Sequence, residues 1–338
     1  MSAVNPPRRL PGLDLIRLLA TVPVVCYHFC IESARAGFAV PAACIGRPMA
    51  DVVEVSLALF FLLSGASLCL RWRGRFALRP YLVGRAAGIY PMFWLGWGTL
   101  FVYGEVLHGA SPGVPRWRAV FSVLGVDGYL AAVTPTFYKI GEWFLGVILL
   151  LYLLFPALLA ALERPRLRLA LGAGLALLAA VWPLVCPAPW EAGHTVLGRL
   201  PAFALGVWFG AVLPGGPRAP GGSRLPFLAA AAAVVLLPLP RLCGQLAVAA
   251  VLFWPLLRAG ERLPAPVRRA VQALAGECYG VYLVHHVFLT LVVLPLTVRL
   301  ALPLPAVLLP YLAASFAGAA VLRRLAAPLA KLLRRLAA

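Results

Sequence analysis

Charged side chains are scarce in this chain. Only 12% of its 338 residues are Asp, Glu, Lys or Arg, which is about half the share found in ordinary soluble domains. Acidic residues are the rarest charged type, with 11 against 30 basic ones, whereas 62% of the residues are hydrophobic. Apolar runs near 20 residues recur along the whole chain. This composition excludes a soluble domain and predicts an all-α, polytopic transmembrane helical bundle.

Three further features that the sequence lacks restrict which kind of membrane protein it can encode. The seven cysteines are scattered without metal-ligand spacing, so the sequence predicts no metal site. No internal repeat is visible, which disfavours the inverted-repeat transporter folds. No small-residue cleavage site follows the first apolar run, so we expect that run to be an uncleaved signal anchor.

The apolar runs predict about ten membrane spans. They lie near residues 12–31, 52–70, 82–104, 142–162, 168–186, 194–213, 225–240, 244–257, 271–295 and 304–322. The basic residues cluster between these runs, at residues 8–9, 71–85, 164–168, 218–224, 258–269 and 323–335. Cytoplasmic loops are the ones that carry Lys and Arg, so both termini are predicted to be cytoplasmic.

This topology makes residues 1–338 a single membrane domain with short basic tails at about 1–11 and 323–338. The net charge of +19 then reflects the cytoplasmic loops. Short basic loops offer no continuous footprint for nucleic acid, so no nucleic-acid partner is predicted.

Residues 105–141 contain Asp127 and several glycines and are interpreted as an outer re-entrant or interfacial segment. Residues 214–224 are predicted to be a Gly/Pro linker.

The first apolar run contains an arginine and a histidine, Arg17 and His28, eleven residues apart. On a helix this separation is roughly three turns, or about 16 Å, so both project from nearly the same face. Ionisable groups at membrane depth are costly and mark function by default. Two structural alternatives stay open. Arg17 could pair with Asp14 one turn earlier, and His28 could hydrogen-bond a neighbouring helix.

Other polar residues in the runs also have two interpretations. Arg85 could extend to the membrane surface or bind a phosphate, and Pro91 is expected to break the same helix. Arg199 and Glu142 lie near predicted outer boundaries, so Arg199 is expected to point outward and Glu142 is interpreted as interfacial rather than catalytic. His285, close to mid-membrane, belongs to an adjacent histidine pair that suits chelation poorly from one helix face.

Five motifs, in order, resemble the acyltransferase-3 family of integral membrane acyltransferases. The first is GLDLIRLLA, with an arginine, ten residues and then a histidine at Arg17 and His28. The others are FFLLSG with Ser64, GRAAGIYPMFW with Arg85, RLPAFALGV, and YGVYLVHHVF with His285. The chain departs from the family at two places: Gly88 stands where many members have a second arginine, and Ile148 where many have a glutamate.

The resemblance implies an O-acyltransferase of the bacterial plasma membrane. It implies acyl-CoA, expected to be acetyl-CoA, as donor, no metal, and a hydroxyl of a carbohydrate, glycan or lipid-linked molecule as acceptor. The catalytic residues would be His28, Arg17 and His285, with His28 acting as the base or as a transient acyl carrier. Arg17, Arg85 and Ser64 would bind the donor or line its path.

Two other classes of function stay open. A proton-coupled transporter or exporter of a small organic acid would use the same histidines and arginines as its path. A non-catalytic membrane scaffold is the third alternative, but buried charge makes it costly. The oligomeric state is not predicted.

Overall fold

The computed structural model describes residues 9–109, 113–213 and 240–335. It is 84% helical and contains no strand in those ranges, which confirms the all-α prediction. The long helices are α1 (Pro11–Arg35), α3 (Arg47–Trp72), α4 (Leu78–Phe101), α7 (Glu142–Glu163), α8 (Pro165–Val185), α9 (Val196–Val212), α10 (Arg241–Glu261), α11 (Ala265–Phe288) and α13 (Leu304–Arg335). The short ones are α2 (Ala42–Ile45), α5 (Ala119–Leu124), α6 (Asp127–Leu130) and α12 (Leu294–Arg299).

Seven helical segments of the described residues are long and apolar enough to cross a membrane. They are Pro11–Arg35, Ala42–Trp72, Glu142–Glu163, Pro165–Val185, Arg241–Glu261, Ala265–Arg299 and Leu304–Arg335. Helices α4 and α9 coincide with two further predicted spans. The predicted span at 225–240 and the linker at 214–224 lie outside the described residues. The protein is therefore an integral membrane protein, while the total of ten spans and the orientation stay predictions.

One prediction about a helix is wrong. Pro91 was expected to break its helix, but α4 continues from Leu78 to Phe101 with Pro91 inside it. Membrane helices tolerate proline because neighbouring groups and local adjustments satisfy the backbone group that proline frees. Pro91 is itself buried in the packed structure.

The segment before α7 contains only short helices. Among its described residues, none of the helices from Val102 to Leu130 exceeds six residues: a π-helical turn, a 3₁₀ turn, α5 and α6. A span needs about 20 residues, so none of these helices can cross the membrane. Gly125 ends α5 in the left-handed conformation, with φ of 75°, and glycine reaches that conformation without steric cost.

The chain divides into two compact units, which interleave along the sequence. The first comprises Met1–Arg17, Glu54–Leu78 and Leu150–Gln272, and the second comprises Leu18–Val53, Arg79–Leu149 and Ala273–Ala338.

In the first unit, α3 and α9 pack through glycines. A Cβ on Gly206 would lie 2.1 Å from the Leu62 carbonyl oxygen, and a Cβ on Gly65 would lie 2.1 Å from the Phe203 carbonyl oxygen. Small residues at helix contacts let membrane helices approach closely, so part of the FFLLSG motif serves packing.

Arg199 does not point outward, contrary to the prediction. It is 1% exposed, its Nη2 donates to Oε2 of Glu54 at 2.6 Å, and its Nε donates to the Gly193 carbonyl at 2.5 Å. Phe61 faces the guanidinium at 5.6 Å. A carboxylate, a carbonyl and an aromatic face together replace the hydration that the guanidinium loses, which is why the arginine stays inside the first unit.

Replacing Glu54 with glutamine is expected to lower the unfolding free energy by about 3 kcal/mol, because it leaves the buried Arg199 charge without its counter-ion. The matched control is Glu277→Gln. Glu277 also binds an arginine, but the Arg323 side chain is 54% exposed, and exposed pairs contribute at most about 1 kcal/mol. Thermal unfolding of the purified variants in detergent measures both effects. Equal midpoint changes would contradict the assignment.

The second unit has its core where α1, α11 and α13 meet. Phe29, Val281 and Tyr311 are central to this cluster and are at most 3% exposed. The rings of Phe29 and Tyr311 stack with centroids 5.4 Å apart, and the Tyr311 hydroxyl donates to the His285 carbonyl at 3.2 Å. This core fixes the relative position of α1 and α11, and both carry histidines.

Candidate active site

Three side chains from three helices of the second unit meet at one place: His28 of α1, Glu142 of α7 and His285 of α11. The His28 Nε2 atom lies 3.9 Å from Oε2 of Glu142. The rings of His28 and His285 are edge to face, with centroids 5.2 Å apart. The two histidines are 257 residues apart in the chain, so only the fold brings them together. A base with a carboxylate beside it is a common arrangement for proton transfer.

His285 has a defined orientation. Its Nδ1 atom lies 2.9 Å from the Val281 carbonyl oxygen and 3.0 Å from the Tyr282 carbonyl oxygen. Carbonyl oxygens only accept hydrogen bonds, so Nδ1 is assigned the proton and Nε2 the lone pair. Nε2 is buried and has no hydrogen-bond partner among the described residues. Because an unpaired buried acceptor is costly, this nitrogen is suited to bind a donor group of a ligand.

The backbone around Glu142 is held in a strained conformation. Glu142 has φ of 38°, a left-handed value that a residue with a side chain rarely adopts. The Tyr282 hydroxyl donates to the Gly141 carbonyl and accepts from the Leu145 amide at 3.2 Å. A Cβ on Gly128 would lie 2.4 Å from the Glu142 carbonyl oxygen, so only glycine fits there. Strain maintained by surrounding contacts is frequent at functional sites.

The residue next to Gly128 is the buried carboxyl of Asp127, which is 1% exposed. Its Oδ1 atom accepts from the Gly128 amide at 2.9 Å. Burial raises the pKa of the Asp127 carboxyl, against the opposing effect of its hydrogen bonds. The Asp127 carboxyl therefore binds the backbone of Gly128, the glycine that packs against the Glu142 carbonyl.

A second histidine and a second glutamate extend the cluster. The Nδ1 of His286 lies 3.2 Å from Oε1 of Glu142, and its Nε2 lies 3.4 Å from Oε1 of Glu32. Glu32 in turn accepts from Arg35 at 2.5 Å. The rings of His28 and His286 are 5.1 Å apart. The cluster therefore continues from His28 to the end of α1.

The three central side chains could also hold a divalent cation. One ligand atom from each of His28, Glu142 and His285 lies within 4.8 Å of the others, and two histidines with one glutamate form a known zinc ligand set. The absence of a metal stays a prediction.

The remaining predicted residues lie elsewhere. Arg17 and Ser64 belong to the first unit, where Nη1 of Arg17 lies 3.6 Å from Oδ1 of Asp14. Asp14 also accepts from Arg9 at 2.7 Å. Arg85 is half-buried on α4 in the second unit. The structure confirms the Arg17–Asp14 contact that the sequence left as an alternative, and roles of Arg17, Arg85 and Ser64 in binding a donor stay predictions.

The comparison with known families settles the class of this protein. A family model described as an acyltransferase domain matches residues 10–324 of the 338. The chain belongs to the acyltransferase-3 family. The protein is therefore an acyltransferase enzyme embedded in a membrane. No curated protein and no solved structure gave a match to the chain.

The structure of this acyltransferase adds residues that the sequence had placed outside the site. Glu142 was interpreted as interfacial, but its carboxylate contacts His28 and His286. His286 and Glu32 had no assigned role. One sequence signal pointed to Glu32: it follows His28 by four residues, so both lie on one face of α1. No local spacing relates either of them to residue 142.

Proposed function

We propose that the protein transfers an acetyl or other short acyl group from acyl-CoA to a hydroxyl of a carbohydrate, glycan or lipid-linked acceptor. The observation that carries this proposal is the pairing of His28 with the Glu142 carboxylate beside the unpartnered Nε2 of His285. An imidazole near a carboxylate can take the hydroxyl proton and be stabilised as an imidazolium. An acyl group passes directly to an acceptor activated in this way.

His285 has a different part in this proposal. Its Nδ1 proton is held by backbone carbonyls, so Nε2 acts only as an acceptor. In the proposed reaction this nitrogen accepts a hydrogen bond from the acceptor substrate and orients it beside His28. The transferred acyl group then leaves the CoA sulfur and bonds to the acceptor oxygen.

Donor binding is assigned to arginines. The guanidinium group suits the phosphates of CoA because it forms paired hydrogen bonds with them. The candidates are Arg85, which is half-buried on α4, and Arg17, which lies beside the Asp14 carboxylate. In the proposed orientation the basic loops face the cytoplasm, where acyl-CoA is made available, and the membrane is the bacterial plasma membrane.

The test uses the native protein in two assays. Purified protein in lipid vesicles is incubated with acetyl-CoA carrying a radiolabelled acetyl group and with cell-surface glycans, and glycan-bound label is counted. Mass spectrometry then compares surface glycans from cells with and without the protein. We expect label transfer and a mass difference of one acetyl group. Failure of both would contradict acetyl transfer to glycans.

A further inference from the structure

The three central side chains of the active site have the donor atoms to bind a ligand other than the substrate. His28, Glu142 and His285 each offer one donor atom, and these three atoms lie within 4.8 Å of one another. All three side chains belong to the second unit. Two imidazoles and one carboxylate are a ligand set of zinc sites that keep their fourth position open to water. The cluster therefore has the donor types that a zinc ion prefers.

The His285 ring has the hydrogen-bonding pattern of a metal ligand. Its Nδ1 atom lies 2.9 Å from the Val281 carbonyl oxygen and 3.0 Å from the Tyr282 carbonyl oxygen. Its Nε2 atom is buried and has no hydrogen-bond partner among the described residues, and the whole residue is 1% exposed. A histidine that binds a metal usually donates its other ring N–H to a carbonyl or a carboxylate, which fixes the ring. Nε2 of His285 is therefore the nitrogen available to a metal.

The two oxygen atoms of the Glu142 carboxylate have different neighbours. Oε1 lies 3.2 Å from Nδ1 of His286, whose Nε2 atom lies 3.4 Å from Oε1 of Glu32. Oε2 lies 3.9 Å from Nε2 of His28. Carboxylates that bind a metal are commonly oriented by a hydrogen-bonding group outside the ligand set. His286 is placed to orient Glu142 in this way through Oε1, which leaves Oε2 for a metal.

The spacing of the three donor atoms is slightly wider than zinc requires. Tetrahedral zinc with ligands at about 2.1 Å places neighbouring ligand atoms about 3.4 Å apart. In the structure one pair is 3.9 Å apart and no pair exceeds 4.8 Å. The side chains of His28 and Glu142 are 23% and 19% exposed, so they are less enclosed than His285 and are the ones expected to move. A side-chain rotation that shifts a donor atom by about 1 Å is enough to complete the zinc geometry.

We propose that Zn²⁺ binds reversibly to His28, Glu142 and His285 and thereby inhibits the enzyme in competition with the acceptor. The inhibition rests on the acyl transfer proposed above, whereas the binding of zinc does not. In that reaction His28 takes the hydroxyl proton and Nε2 of His285 orients the acceptor, and a bound zinc ion occupies both groups. The reaction itself needs no metal, so the ion is an inhibitor rather than a cofactor. Mg²⁺ prefers six oxygen ligands and is expected to have no effect.

The first test measures zinc binding without reference to activity. The full chain, purified in detergent without a polyhistidine tag and stripped with a chelator, is dialysed to equilibrium against buffered Zn²⁺, and bound zinc is counted by mass spectrometry. We expect one tightly bound zinc ion per native protein. His28→Ala and Glu142→Gln are each expected to weaken its binding at least about tenfold, since even loss of a group outside the ligand set costs that much. Thermal unfolding checks that both variants are folded.

Two control variants address the other groups that bind zinc. His194→Ala removes a histidine that lies 3.3 Å from the exposed Glu191 in the first unit. Cys30→Ser removes a half-buried free thiol that lies on α1, the helix that carries His28. Both variants are expected to bind the tight zinc ion as the native protein does. Tight binding that is absent from the native protein, or equal in the native protein, His28→Ala and Glu142→Gln, overturns the site.

The second test measures inhibition of the native enzyme. Initial rates of acetyl transfer are recorded at saturating acetyl-CoA while a zinc buffer sets the free Zn²⁺ concentration. We expect Zn²⁺ to lower the rate, a chelator to restore it, and a higher acceptor concentration to raise the Zn²⁺ concentration needed for half-inhibition. Tight zinc binding with an unchanged rate, or inhibition that the acceptor does not relieve, overturns the competition. No acyl transfer by the native protein without zinc overturns the proposed function, and the dialysis result then decides the zinc site alone.

Discussion

Replacement of His28 with alanine is expected to lower acyl transfer at least about a hundredfold, the smallest effect usually seen when a general base is removed. Among the described residues, His28 is the only histidine whose ring lies within ion-pair distance of Oε2 of Glu142. We therefore expect no other described side chain to replace it as the base. The measurement is transfer of radiolabelled acetyl from acetyl-CoA by equal amounts of purified protein.

The His28→Ala protein is expected to remain folded. His28 is not one of the buried apolar residues that form the core of the second unit, and its side chain is 23% exposed. Gel filtration and thermal unfolding check this point. The control is His194→Ala, because His194 lies in the first unit and pairs with an exposed glutamate, Glu191, within its own turn. Normal transfer by His28→Ala would rule out the assignment of the base.

Glu142→Gln is expected to lower acyl transfer between about tenfold and a thousandfold. Glutamine has nearly the same shape but lacks the charge that stabilises protonated His28, which is a role that the carboxylate also has in hydrolytic triads. The same substitution also weakens the contact with His286. The rate at saturating acetyl-CoA is the quantity to measure, because Glu142 is not assigned to donor binding.

The matched control for Glu142→Gln lies on the same helix. Glu163 ends α7 and is exposed in the first unit. Glu163→Gln removes an equal charge from the same element and is expected to leave the rate unchanged. Equal losses in the two variants would show that α7 is sensitive to charge in general. A native rate for Glu142→Gln would remove Glu142 from the mechanism.

Buried polar side chains have two different roles in this protein. Arg199 and Glu54 neutralise each other inside the first unit, with 2.6 Å between their side-chain atoms, so they leave little free capacity for a ligand. The Nε2 atom of His285 is buried and receives no hydrogen bond from the described residues. A paired charge can stabilise packing, whereas an unpaired acceptor is suited to binding.

The sequence by itself determined the fold class and the family. Apolar runs near 20 residues must be helices in a membrane, because only helices and closed barrels satisfy every backbone group there. The motifs around Arg17, His28 and His285 indicated an acyltransferase, and the family match confirmed it. The fold class and the family depend on the local pattern of apolar residues and on the order of the motifs, and both can be read directly from the sequence.

Only the tertiary structure decided which polar residues share a site. Glu142 approaches His28 while contacts of Gly128 and Tyr282 with the backbone hold Glu142, the first residue of α7, in a left-handed conformation, and no periodicity in the sequence encodes that conformation. Arg199 was expected to point outward, but its partner Glu54 on another helix holds it inside. In both cases the partner is more than 100 residues away in the chain. Helix packing sets such long-range pairs, because it depends on the fit of whole surfaces rather than on any single motif.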